Sequence, residues 1–221
     1  IKVIKISSSD MKNNYVFLEM IKFLRFPLMV MVVMIHAQMS RISMGGGIYE
    51  FNVETFPIYS NISYFVSKLI SRIAVPCFYL FSGYLFFMNI KRYSCQEYLQ
   101  KIRKRTKTLL IPYIFWNLVV VILFFVSQTF IPSLISGYSK PIVEFVIADW
   151  LKAFWSWDAG APINNPLWFI RDLFVVVLLS PIIYHAIKLF KFYYIAGLGI
   201  LWLLDISSGI TGLSIVAFFF F

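Results

Sequence analysis

Charge is what this sequence has least of. Only 14% of its 221 residues are Asp, Glu, Lys or Arg, and just ten of them are acidic. A soluble globular domain carries about a quarter charged residues, so a soluble domain is excluded. Two cysteines, Cys77 and Cys95, are too few for a disulfide framework and read as free thiols. Two histidines and two scattered cysteines also exclude a zinc site, and no metal is expected. Ser82 lies in "FSGYLFF", which lacks the G-x-S-x-G elbow of a hydrolase. "GLGILW" has no strand before it and is no dinucleotide fingerprint.

Apolar residues take the place of charge, at 60% of the chain and a mean hydropathy of +0.80. They gather into runs near the ~20 residues that span a bilayer as a helix. The runs are roughly 16–39, 62–88, 109–130 and 166–190, a short one at 192–204, and one beginning near 213. The fold class expected is all-α, a polytopic transmembrane helical bundle with about six helices in view. The whole of 1–221 reads as one membrane domain. Met11 is the expected native start, which puts residues 1–10 outside the native chain. The last helix is expected to be cut short.

A net charge of +10 invites a nucleic-acid partner, but the placement of the cations argues against one. Lys91, Arg92, Lys101, Arg103, Lys104, Arg105 and Lys107 crowd the 89–108 connection against the single acid Glu97. Cytoplasmic loops carry this excess. The N-terminal Lys2, Lys5 and Lys12 and the turn with Lys188 and Lys191 then fall on the same side. The 40–61 and 131–165 connections, poor in cations, go outside. Within the latter, "VEFVIADWLKAFWSW" suits either an interfacial helix or a plain helix packed on the outer surface.

Ionisable groups at membrane depth are expensive and mark functional sites by default. Arg25 and His36 are eleven residues apart, which places them about 20° apart around a helix and ~16 Å apart along it. They line one face, with Lys22 a turn below; Glu19 is off that face. Arg72 is expected at a depth near His36. Arg171 and Asp172, one turn below Trp168, read equally as a structural ion pair or as part of a substrate path. Lys22 reads as a snorkelling lysine, and His185 as interfacial.

With these residues in place the chain resembles acyltransferase family 3, multi-span membrane enzymes that O-acylate cell-surface polysaccharides. The carriers of the likeness are a basic residue, ten residues and a histidine (Arg25 and His36), then "RIAVPCFYLFSGYLFF", "KIRKRTKTLLIPYIFW" and "PLWFIRDLF", in that order over residues 16–185. Lys22 stands where the family often has an acid, and its Arg-x-x-Arg pattern appears as Lys104 and Lys107.

The resemblance implies that this is the N-terminal part of a roughly ten-helix domain of a bacterial cytoplasmic membrane, N-terminus inside. It implies transfer of an acetyl or other short acyl group from cytoplasmic acetyl-CoA to a hydroxyl of a surface polysaccharide or glycolipid. His36, Arg25 and Arg72 are then the expected catalytic residues. Arg103, Lys104, Arg105 and Lys107 are expected to hold the donor's phosphates, with Trp168, Arg171 and Asp172 along the substrate path. The rival reading is a transporter or lipid-translocating protein whose intramembrane charges line a pathway.

Overall fold

A backbone in lipid must satisfy its own hydrogen bonds, so apolar runs of this length fold as helices. The computed structural model describes residues 8–37, 41–44, 47–50, 54, 56–88, 94–131, 140–155, 161–203 and 221. The expected helix near 213, Lys91, Arg92, Asp158 and the N-terminal Lys2 and Lys5 lie outside the described residues. The architecture is helical, as expected, with one short antiparallel pair. Two compact units divide it, Ile1–Phe81 and Ser82–Phe221.

In the first unit α1 runs over Ser8–His36 and passes through Pro27. Strands β1 (Arg41–Met44) and β2 (Gly47–Glu50) pair antiparallel, Arg41 opposite Glu50 and Met44 opposite Gly47. Helix α2 (Pro57–Tyr64) starts on its proline, where the missing N–H costs nothing. It continues as a wide π-type stretch at Phe65–Ile70, a tight 3-10 turn at Ser71–Ile73, and α3 (Ala74–Phe87), whose residues from Ser82 on belong to the second unit. Both irregular stretches pack against α1. Ser67, Ser71 and Ala74 are buried there at spacings of four and three, and small side chains let two helices approach closely.

In the second unit, α4 (Cys95–Arg105), a π-type stretch at Thr106–Leu110 and α5 (Ile111–Phe130) form one continuous helix. Its N-terminus is capped by the Ser94 hydroxyl, which accepts the Glu97 N–H at 3.2 Å. Irregular turns precede both Pro76 and Pro112; a proline leaves the carbonyl four residues back without its helical partner and crowds it, and altered turns relieve that crowding. Helices α7 (Trp168–Leu178) and α8 (Ser180–Phe190) are bent by 65° at a break next to Pro181. The single run expected at 166–190 is thus two helices. After a turn at Lys191, whose φ is 47°, comes α9 (Phe192–Leu203).

The number of spans is smaller than the six expected. By length and composition two stretches among the described residues suffice to cross a bilayer, Pro57–Phe87 and Cys95–Phe130, or three if the bent pair counts as one. The 192–204 run yields only twelve helical residues. The described part of α1 carries Glu19, Lys22 and Arg25 in its apolar half, which lowers its apolar content.

Helix α6 (Ile147–Phe154) forms within the 131–165 connection, and most of its residues are exposed, which fits a helix packed on a surface. It does not lie across the end of α5 but runs alongside it. At one level the Gln128 side-chain oxygen Oε1 accepts the N–H of Ile142 at 2.9 Å. At the other, the Tyr113 hydroxyl donates to the carbonyl of Phe154. Those two anchor points are fifteen residues apart on one helix, about 22 Å at 1.5 Å per residue. The chain then turns back, Ile163 N–H donating to Ala153 O at 2.7 Å. It rejoins α5 at Asn117, whose side-chain oxygen accepts the Asn164 N–H at 3.1 Å.

Candidate functional site

The Arg25–His36 face is present on a continuous α1, with both side chains exposed. Lys22 does not stand alone, because Glu19 reaches it at 2.7 Å in an exposed i,i+3 pair. Arg72 is also exposed, on the 3-10 turn that packs against α1. The cation that bears electrostatically on His36 is a different one, Lys68, one turn before Arg72. Lys68 was not singled out from the sequence. It is a single lysine in "ISYFVSKLIS", and only the pairing of the helices places its charge near an imidazole.

A groove of about 340 Å³ opens between these helices, with Met34 and Ala37 on one wall and Tyr59, Ile62, Ser63, Val66 and Ser67 on the other. In sequence, His36 falls between the α1 wall residues Met34 and Ala37, and Lys68 directly follows Ser67; neither is among the residues that line the groove. The π-type stretch carrying Lys68 sets the register there. Such insertions recur at functional sites.

The second unit holds the remaining expected residues. Arg103, Lys104 and Arg105 end α4, and Lys107 lies in the π-type stretch; Arg103, Lys104 and Lys107 are exposed and Arg105 is half-buried. Two residues beyond Lys107 a second cavity begins, of about 410 Å³. Leu109 and Leu110 from the π-type stretch, Tyr113 and Ile114 from α5, Trp150, Leu151, Phe154 and Trp155 from the α6 segment, and Ile170, Arg171 and Phe174 from α7 enclose it. Helix α7 packs antiparallel to the long helix, since the Tyr98 hydroxyl donates to Leu178 O at 2.7 Å near one end while Asn164 meets Asn117 at the other.

Arg171 and Asp172 form a buried ion pair. The Arg171 Nε and Nη2 both donate to Asp172 Oδ1, at 2.9 and 2.8 Å, and each side chain is only 1% exposed. The guanidinium also stands 5.1 Å from the Trp155 ring, a cation–π contact. The pair lies on the cavity wall rather than in an open channel. Trp168 is half-buried at the start of α7. Asn117, fully buried, is a polar anchor that sequence reasoning passed over, because one amide within "FWNLVVVILFF" breaks no pattern.

Over 119 residues the chain is 29% identical to the succinoglycan biosynthesis protein ExoH of Rhizobium meliloti (strain 1021), a match covering 54% of this chain and 31% of that protein. The chain therefore spans less than a third of that relative by the matched region. No solved structure matches the chain. The family model for an acyltransferase domain, that of acyltransferase family 3, matches residues 19–221, and with its apolar helices the chain is an integral membrane protein belonging to that family.

Proposed function

We propose that the protein is a multi-pass O-acyltransferase of a bacterial cytoplasmic membrane. It moves an acetyl or other short acyl group from cytoplasmic acyl-CoA to a hydroxyl of a cell-surface polysaccharide. The N-terminus and the basic end of α4 face the cytoplasm, by the positive-inside bias. The observation that carries the reading is His36 at the end of α1, between two residues that line a groove and near a cation, in a chain of an acyltransferase family.

Neutral His36 accepts the proton of the acceptor hydroxyl as its oxygen attacks the thioester carbonyl. The C–S bond breaks as the tetrahedral oxyanion collapses, and the proton passes to the departing thiolate of CoA. Arg72 stabilises the oxyanion, a role strongest where water is excluded. Arg25 guides the donor toward His36.

Donor binding falls to the second unit. Arg103, Lys104, Arg105 and Lys107 suit the phosphates through charge-assisted hydrogen bonds. The cavity that starts at Leu109 suits the aliphatic portion of the donor's arm. Trp168, Arg171 and Asp172 flank the same path. The name of the Rhizobium relative supports an exopolysaccharide acceptor. Family membership favours this reading over a transporter.

The test is the O-acyl content of surface polysaccharide in cells expressing the full-length protein, wild type beside His36→Ala and Arg25→Ala. Loss in both variants, at equal protein level in the membrane, is expected. Unchanged O-acylation in His36→Ala overturns the mechanism.

A further inference from the structure

The two cavities differ in chemistry. The one enclosed by α5, α6 and α7 exposes essentially hydrocarbon, which suits an aliphatic chain. The groove beside α1 is mixed. Met34, Ala37 and Ile62 give it apolar surface, while Tyr59, Ser63 and Ser67 give it three hydroxyls.

A hydrocarbon chain has no use for hydroxyls, and a nucleotide phosphate would seek cations in the lining, of which there are none. A pyranose ring has both halves of the match: a C–H face that packs on apolar or aromatic surface, and equatorial hydroxyls that exchange hydrogen bonds. Its volume of about 340 Å³ is in the range of small-molecule sites. On the same helical face, four residues beyond Ser67, the Ser71 hydroxyl is fully buried with no hydrogen-bond partner among the described residues. A buried hydroxyl left so calls for a partner.

We propose that this groove is the acceptor subsite, binding one sugar ring of the polysaccharide on the stretch of α1 that carries His36, between the wall residues Met34 and Ala37. The inference rests on the acyl-transfer reading above and deepens it. Tyr59 and Ser63 hold the ring's hydroxyls, and Ile62 and Met34 pack on its C–H face.

The experiment uses the full-length protein in detergent, with labelled acetyl-CoA as donor and chemically de-O-acylated surface polysaccharide as acceptor. The variants are Tyr59→Phe, Ser63→Leu and Ile62→Trp. Ile62 is 60% exposed, so its enlargement narrows the groove without entering the buried core. The Michaelis constant for the polysaccharide is expected to rise about ten-fold in Ser63→Leu, on the order of two lost hydrogen bonds. It should also rise in Ile62→Trp and less in Tyr59→Phe, while that for acetyl-CoA stays unchanged. An acceptor constant that does not move, or donor and acceptor constants that move together, overturns the subsite and leaves acyl transfer standing. If the wild type carries no label to the polysaccharide, the acyl-transfer reading itself fails and the subsite with it.

Discussion

Asn117 joins two segments that sequence distance separates by 47 residues: its side-chain oxygen accepts the Asn164 N–H at 3.1 Å and its amide donates to Tyr113 O at 2.8 Å. The carboxamide is fully buried. Asn117→Leu leaves the half-buried Asn164 N–H without this partner, at about 1 kcal/mol. Thermal unfolding in detergent should show the loss. Hydrogen exchange should locate it at residues 161–167 rather than along α5. Loosening confined to α5 would mean that Asn117 supports α5 alone.

The Arg171–Asp172 pair separates a structural from a functional role. Removing one partner leaves a buried charge, and Asp172→Asn or Arg171→Met should each destabilise by about 3–5 kcal/mol. The double variant Arg171→Met/Asp172→Leu should recover most of that in the same unfolding measurement. Its acyl-transfer activity then decides. A stable double variant without activity assigns the pair to the donor path, and one with full activity makes it a packing device.

Gly83 lies so close to the Phe221 backbone that a Cβ at this position would collide with that carbonyl. Phe221 is also held by ring contacts with Phe86 and Phe87, each 5.6 Å between centroids. Gly83→Ala must displace main chain, and overpacking of this kind costs about 1–3 kcal/mol. The expected outcome is a lower melting temperature in detergent; a wild-type value would show that the Phe221 backbone yields freely.

Lys140 ties the start of α6 to Asp149 at 2.6 Å, and the Val146 N–H donates to the same carboxylate oxygen at 3.0 Å. These two hydrogen bonds, the lysine's first, hold the Asp149 carboxyl below its ordinary value. A lowered folded-state value contributes stability above the unfolded value of about 3.9 and loses it as pH falls through the folded one. Amide protection at Val146 is thus expected to be flat from pH 7 to 5 and to decline below about 4. Lys140→Met should move the decline to higher pH. Identical profiles would mean that the ion pair contributes nothing in solution.

What the sequence could reveal follows from the kind of signal each element carries. Composition alone separates "LLIPYIFWNLVVVILFFVSQTF" from the basic residues before it, and α5 starts and stops within two residues of that run. The 65° break at Leu179 hides inside an equally apolar run, marked only by Pro181. Arg25, His36 and Arg72 are legible because charge in an apolar helix stands out. Lys68 is as conspicuous chemically, but its relation to His36 arises from packing between helices, which periodicity does not encode. The course of α6 along α5 is hidden for the same reason, because Gln128 and Tyr113 fix it through contacts to residues distant in sequence.

The descent of α6 beside α5 also constrains how the protein is assembled during synthesis. Eight helical residues are too few to partition into a bilayer by themselves, where about 20 are needed. Its last anchors, Asn164 and the Arg171 guanidinium under Trp155, belong to chain that follows it. The contacts that hold the segment are therefore complete only once the chain as far as α7 has been made. A ribosome stalled between residues 155 and 165 should leave α5 inserted and α6 open to water-soluble cysteine reagents at an introduced thiol. Release of the full chain should close it.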